Sequence, residues 1–364
     1  MITRKYTLAA EDGLFRITAA RDGTWGAAGT VGGLVSGEEN LSHEGNCWIG
    51  PDARAVDRSV VFENAQLEGD SAAFDDAMIY EFAVLRDDAV ARGGARIHGV
   101  TRVLNNAEVY DSARVFGRAT IRDFARVHGQ SRVSGNAQVV GNAEVKDDCR
   151  VYGSAMVGES AVVEASAYVV GHATVAGSAR VGGHAVVGDD ADVRDNARVR
   201  DNARVGGAAR LLDHAELQGA VEVAEGTQVR ARPLSIQGTR DAMTIMGDVG
   251  RVQVGRRSAP IAAWLESYAD WLGLMGYSDT EITEYHAHLR HAAELLAYHY
   301  EPTPRPQPYR PSIGDVLDLV LRGEVISDGW QRNRLTMRTA DPSTGEDFVL
   351  RVARDADFEV VTLA

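Results

Sequence analysis

Cysteine is scarce in this chain: 364 residues hold only Cys47 and Cys149. Two thiols cannot build a disulfide framework or a cysteine metal cage, and unpaired thiols suit the cytoplasm. No apolar run is long enough to span a bilayer, and no signal peptide or lipidation motif is present. No phosphate-binding glycine loop and no nucleophile elbow occurs either. Neither end carries a run of like charge, and the net charge of −14 is made of well-mixed signs. That balance disfavours nucleic acid as a partner, because such affinity needs many phosphate contacts. It leaves room for one locally basic face. The expectation is a cytoplasmic protein with no membrane partner.

What is present is periodicity. From Gly45 to Arg230 the chain divides, without insertion or deletion, into thirty-one hexads such as DSARVF (111–116) and GSARVG (177–182). The fifth position is Val, Ile or Leu in twenty-eight hexads and Ala in the other three. The third is Ala in twenty-three, and otherwise Cys, Ser, Thr or Val. No amphipathic helix has this period, and strand alternation alone would not return Gly, Asp or Asn to positions one and two. A fixed short period means a solenoid, whose units bury their apolar residues only against stacked copies of themselves.

Side-chain size sets the shape of one turn. Positions three and five point inward and four and six outward. Ala fits a tight corner and Val fills the interior. Gly, Asp and Asn at positions one and two make the bend, whose backbone angles they tolerate. Three strands close a triangular coil of eighteen residues, so the repeat predicts just over ten coils in a prism about 50 Å long at roughly 4.8 Å per coil. Both cysteines occupy inward third positions, on the order of 27 Å apart along the stack, so they cannot bridge. They read as small buried thiols.

The predicted organisation is an N-terminal cap (1–44), the β-helix (45–230), a closing element (231–300), a linker (301–311) with five prolines, and a small α+β module (312–364). The closing element reads as a hairpin-like segment (Leu234–Val254) and two helices. The first runs from about Ser258 to Leu274, with Ile261, Trp264, Leu265, Tyr268, Trp271 and Leu272 as one apolar stripe. The second opens on the capping box Ser278-Asp-Thr-Glu281 and runs to about Tyr300. The last module suggests a short helix (Ile313–Leu321) and strands near Arg334–Arg338, Phe348–Val352 and Phe358–Leu363, and it is a candidate site for a protein partner.

The stretch Gly32-Gly-Leu-Val-Ser-Gly-Glu-Glu-Asn-Leu-Ser-His-Glu-Gly-Asn-Cys-Trp-Ile49 resembles the approach to the repeat in YdcK-like hexapeptide-repeat proteins of bacteria and phages. Gly-Gly, Asn-Leu-Ser, Gly and Trp-Ile carry the likeness. Gly238-Thr-Arg-Asp-Ala-Met-Thr-Ile245, with the helices behind it, looks like the closing element of phage-borne members. The resemblance spans roughly residues 25–300 and has no counterpart in 312–364. It implies the left-handed β-helix of the trimeric LpxA-like superfamily, whereas the usual handedness rule would favour right-handed crossovers. The fold class expected is thus an all-β solenoid: a left-handed parallel β-helix of about ten triangular coils, a helical C-terminal extension and a small α+β tail. The resemblance also implies a homo-oligomer, dimer or trimer, and an acetyltransferase label that rests on the repeat alone.

Acyltransferases of that superfamily place a histidine base at a protomer interface beside a loop protruding from one coil. The thirty-one hexads admit no such loop. The coil histidines are His98, His128, His172, His184 and His214, and no two stack. His172 and His184, each in a Gly-His-Ala turn, are the catalytic candidates, with acyl-CoA as cofactor only under that reading. Zinc-binding relatives use a histidine pair five apart, which the coils lack. His286, His288 and His291 cluster in the second helix and read as a solvated surface. No metal and no cofactor is expected.

The outward columns are more informative. Residues eighteen apart stack, and one face carries Arg96, Arg114, Arg132 and Arg150 at position four. Position six beside them reads Phe62, Tyr80, His98, Phe116, Ser134 and Tyr152. Like charges about 5 Å apart repel unless acids or a polyanion neutralise them, and Asp111, Asp147 and Asp148 in neighbouring turns are candidates for that. The arginines with Tyr152 therefore form a candidate binding strip for an anionic polymer, a glycan or a protein. Val60, Phe62, Met78, Tyr80 and Phe116 form an apolar patch suited to self-association or to capping. Three function classes follow: a non-catalytic scaffold, favoured by the unbroken winding; an acyltransferase; and a binder of an anionic polymer or glycan.

Overall fold

The computed structural model describes residues 4–223, 226–247, 250–255 and 257–296, and four further strands after them. Two compact units divide the chain, Met1–Tyr300 and Glu301–Ala364. The first is a parallel β-solenoid of about eleven coils. It opens with β1 (Tyr6–Glu11), β2 (Leu14–Ala19) and β3 (Val31–Val35), and continues through two-residue strands from β4 (Trp48–Ile49) to β34 (Gln228–Val229). Three sheets of 13, 11 and 10 strands form its sides. The count exceeds the expected ten because the winding starts before Gly45. Leu34 and Val35 of β3 pair in parallel with Arg54 and Ala55, and Leu41 bridges Val61.

Every hexad contributes one strand, and the register holds throughout. Arg96 pairs with Arg114, Thr120 with Gln138 and Arg180 with Arg198, always eighteen residues on. The fifth-position aliphatics and, apart from the half-buried Thr227 in the last coil, the third-position small residues are buried, and the apolar ones form one continuous core from Tyr6 to Val229. At two of the positions where Ser or Thr replaces Ala the hydroxyl returns to backbone: Ser59 donates to the Val56 carbonyl at 2.8 Å and Thr101 to that of His98 at 2.6 Å, whereas the buried Ser71 hydroxyl has no partner. Burial pushes the Cys149 thiol up to about 12 and also raises that of Cys47. Both are free.

Turn aspartates do more than tolerate a bend. Position one takes the left-handed conformation, as at Asp111 with φ 57°. Its carboxylate accepts the backbone N–H of position one in the next coil: Gly129 to Asp111 at 3.1 Å, Gly141 to Asp123 at 3.0 Å, Ala165 to Asp147 at 2.8 Å. A donor left out of the coil-to-coil ladder is thereby satisfied.

Both ends of the stack are closed. At the first coil the fully buried Lys5 donates to the Glu44 and Cys47 carbonyls at 3.1 and 3.2 Å and to Cys47 Sγ at 3.1 Å. Tyr6 Oη donates to the Leu41 carbonyl at 2.7 Å. At the last coil a four-stranded antiparallel meander replaces the expected hairpin: β35 (Leu234–Gln237), β36 (Ala242–Met246), β37 (Arg251–Val254) and β38 (Arg257–Pro260). Buried Gln253 mimics the missing coil, accepting from Glu222 N–H at 2.8 Å and donating to the Ala220 carbonyl at 3.3 Å.

Two helices cover the meander, α1 (Ile261–Leu274) and α2 (Asp279–Leu295). The first starts three residues later than the sequence suggests. Pro260 at its N-cap holds an extended backbone (φ −55°, ψ 147°) and disfavours helix in the residue before it. Ile261, Trp264, Leu265 and Leu272 of the stripe are buried with Met243, Ile245, Val252 and Val254, while Tyr268 and Trp271 pack at the margin. The capping box at Ser278 and Glu281 is present, and α2 closes at Leu296. No described helix is long and apolar enough to cross a membrane.

In the second unit, β39 (Ile326–Gln331), β40 (Arg334–Ala340), β41 (Asp347–Ala353) and β42 (Phe358–Thr362) form an antiparallel sheet in sequential order. The first of these was not expected from the sequence. The linker 301–311 and the helix expected at Ile313–Leu321 lie outside the described residues.

Truncating the interior should cost far more than truncating the surface beside it. Ile121→Ala, at a fully buried site, is expected to lose about 2–5 kcal/mol. Arg122→Ala, the next residue outward, should stay within about 0.5 kcal/mol. Chemical denaturation followed by circular dichroism reads the difference, and equal midpoints would contradict the packing.

Candidate functional site

The arginine column stands on the 10-stranded sheet, and its register is continuous: Arg96 pairs with Arg114, Arg114 with Arg132 and Arg132 with Arg150. Met78 lies below and Tyr168 above. The first three arginines are exposed and Arg150 is half-buried, its guanidinium 5.3 Å from the Tyr168 ring centre. Among the described residues none of the four forms an ion pair. Arg58, Arg92 and Arg200, on other turns and faces, hold Asp76, Glu108 and Glu216 at 2.6, 3.2 and 2.9 Å. The next longest stacked run at position four is the pair Arg180 and Arg198. Unit charges some 4 Å apart repel by about 1 kcal/mol even at the dielectric of water. Long side chains can splay to reduce this, but an external anion removes it.

Beside the arginines, Phe62, Tyr80, His98 and Phe116 form one continuous stack. Ring centres are 4.8, 4.6 and 5.3 Å apart and the planes within 9° of parallel. Ring faces are thus turned toward each other along the coil axis and ring edges toward solvent. Edges carry the positive end of the quadrupole, and the Glu81 carboxylate stands 3.7 Å from His98 Nδ1 beside them. The column offers few open faces for bases to stack on. Val60, Met78 and the stacked rings are each half-buried within the single chain, while Tyr152 is 42% exposed. The patch expected to drive self-association is therefore partly covered by its own stacking.

The catalytic candidates do not come together. His172 and His184 sit at different corners. His172 Nδ1 is 3.6 Å from Asp190, with both side chains 74% exposed, and no buried group orients either ring. In α2, His286 stacks on Tyr268, His288 lies 3.4 Å from Glu284 and His291 3.7 Å from Glu294. No group of three metal-ligating side chains occurs among the described residues. A cleft of about 960 Å³ lies between the last coil and the meander, lined among others by Arg204, Glu216, Val221, Pro233, Thr244 and Gln253.

A second constellation lies on the 13-stranded face and escaped the column-by-column reading. His128 stacks on Tyr110 at 4.5 Å, and Arg92 lies 4.2 Å from the same ring. His128 Nε2 is 2.9 Å from Glu144, and its Nδ1 3.6 Å from Asp111. Lys146 bridges Glu144 and Glu164 at 3.7 and 3.3 Å. The hydrogen bond with His128 holds the Glu144 carboxyl below its usual range, against partial burial and with help from Lys146. Arg92, Tyr110, His128, Lys146 and Glu164 are also eighteen apart, so the same column rule applied to this face would have found them. Here Arg92, Lys146, Glu144 and Glu164 each have an opposite partner, which makes it a stabilising ladder. The arginine strip lacks such partners, and that difference marks it as the candidate site.

Compared with family models and with curated proteins, the chain matches none.

Because Glu144 titrates lower in the folded chain than unfolded, its stabilisation is complete above the ordinary glutamate pKa of about 4.3. It disappears as pH falls through the lowered folded value. Wild type should exceed Glu144→Gln in stability at neutral pH, with the gap closing only in acid. A gap that widened on acidification would contradict this.

Proposed function

We propose that this protein is a non-catalytic β-helical scaffold that engages anionic partner surfaces through the arginine strip. The observation that carries the reading is the run of four register-stacked arginines, none of them in an ion pair among the described residues, in a chain whose net charge is −14. An acidic protein that leaves four adjacent cations unneutralised holds a local field opposite to its global one.

The unbroken winding supports the non-catalytic part. Acyl transfer needs a base within hydrogen-bond reach of the accepting group and a pocket that excludes water. The exposed His172 and His184 offer neither within one chain. An acyltransferase built between protomers is the competing reading. An acyl-CoA whose binding, read by calorimetry, is lost in His172→Ala or His184→Ala would favour it.

Retention on heparin separates position from total charge. Replacing Arg96, Arg114, Arg132 and Arg150 by Ala should lower the eluting salt markedly. Replacing Arg102, Arg126, Arg180 and Arg198 by Ala removes the same charge elsewhere and should lower it less. Equal shifts from the two variants would sink the proposal.

A further inference from the structure

We infer that the surface filling the arginine strip is an acidic turn ridge of a second copy of this chain, formed by Asp52, Asp70 and Asp88. The inference rests on the strip being the contact face, and it deepens that reading by naming the occupant. Its basis is pitch. One guanidinium per coil repeats at about 4.8 Å. An extended peptide presents same-side carboxylates about 6.7 Å apart, so it falls out of step with such a ladder within a few residues. A stacked-coil protein presents them at the coil pitch by construction.

This chain carries such a ladder. Asp52, Asp70 and Asp88 precede the strands Arg54–Ala55, Ala72–Ala73 and Val90–Ala91, which pair in parallel in that order. All three aspartates are exposed. Among the described residues none forms an ion pair, and Asp52 has only the more distant field of Arg16. Acids nearby are already held, Glu68 by Arg86 and Asp76 by Arg58. The next residues on the ridge are Asn106 and Phe124, so the acidic run stops at three. Three unpaired carboxylates in one copy thus match the pitch of four unpaired guanidinium groups in another.

The two surfaces lie on opposite sides of the prism. The ridge is the corner between the 11-stranded and 13-stranded sheets, and the strip lies on the remaining sheet. One copy therefore cannot exchange both contacts with the same neighbour by a two-fold axis. The contact is heterologous, with each copy receiving a ridge on its face and lending its own ridge to another. Because both surfaces are exposed, association is sensitive to salt, which shortens the Debye length from about 10 Å at 0.1 M to about 3 Å at 1 M.

Two variants test this by light scattering at low salt, with circular dichroism confirming the coil. A face variant carries Arg96→Gln, Arg114→Gln, Arg132→Gln and Arg150→Gln; a ridge variant carries Asp52→Asn, Asp70→Asn and Asp88→Asn. Wild type is expected to rise above the mass of one protomer with concentration and to fall back at high salt. Each variant alone should remain a single protomer, and an equimolar mixture should give two protomers and nothing larger. That result follows because only the face variant's ridge and the ridge variant's face survive. A monomeric wild type, variants that still associate alone, or a mixture that stays monomeric would each overturn the inference. If wild type is monomeric while heparin retention still depends on the four arginines, self-docking fails and the contact face stands. If neither effect occurs, both fail.

Discussion

Everything in the first unit depends on one constraint: each coil must place its backbone donors and acceptors under those of the next, eighteen residues on. The N–H of position four and that of position six each find a carbonyl in the following coil, as Arg114 does with Ser131 and Phe116 with Val133, at 2.9 and 3.0 Å. A single inserted residue would turn inward side chains outward and leave buried polar groups unpaired. The constraint explains why the interior is so monotonous. It also explains why chemistry, if any is present, is confined to columns on the outside.

Columns turn sequence spacing into spatial adjacency. On one face, complementary charges alternate around His128, and the column stabilises itself. On another, four arginines repeat the same charge, so the column is left wanting an anion. The two faces differ by which residues fill identical backbone positions, not by any change in fold. A scaffold of this kind can therefore acquire a binding strip through a few outward substitutions at little cost to its core.

The coil was legible because its signal is redundant: Val115, Val127 and Val139 say the same thing at every step. The arginine strip was legible for the same reason, since stacking follows from period alone. Other features were not. Aspartate at position one reads as a turn former, and its bond to the next coil's N–H, as from Asp147 to Ala165, depends on that neighbour being in place. Gln253 looks like an ordinary strand residue until the open edge of the last coil is set against it. The stack of Phe62, Tyr80, His98 and Phe116 was visible as a column. That its rings show edges and not faces was not, because ring orientation is a rotamer choice that spacing does not fix. Ser258–Pro260 failed as helix because an apolar stripe was extended across a proline whose preceding residue prefers an extended backbone.

The central claim is that residues eighteen apart lie directly over one another along an unbroken stack. Exposed turn positions allow a covalent test, because the two native thiols are fully buried. A disulfide needs Cα atoms about 4.4–6.8 Å apart, which the coil pitch of about 4.8 Å satisfies. Asn136→Cys with Ser154→Cys joins positions one coil apart on the same corner. Asn136→Cys with Asn142→Cys joins neighbours in sequence on different corners. Under mild oxidation the first pair should close a disulfide and the second should not. Closure of the second pair, or failure of the first in the folded protein, would contradict the stacked coil and everything read from its columns.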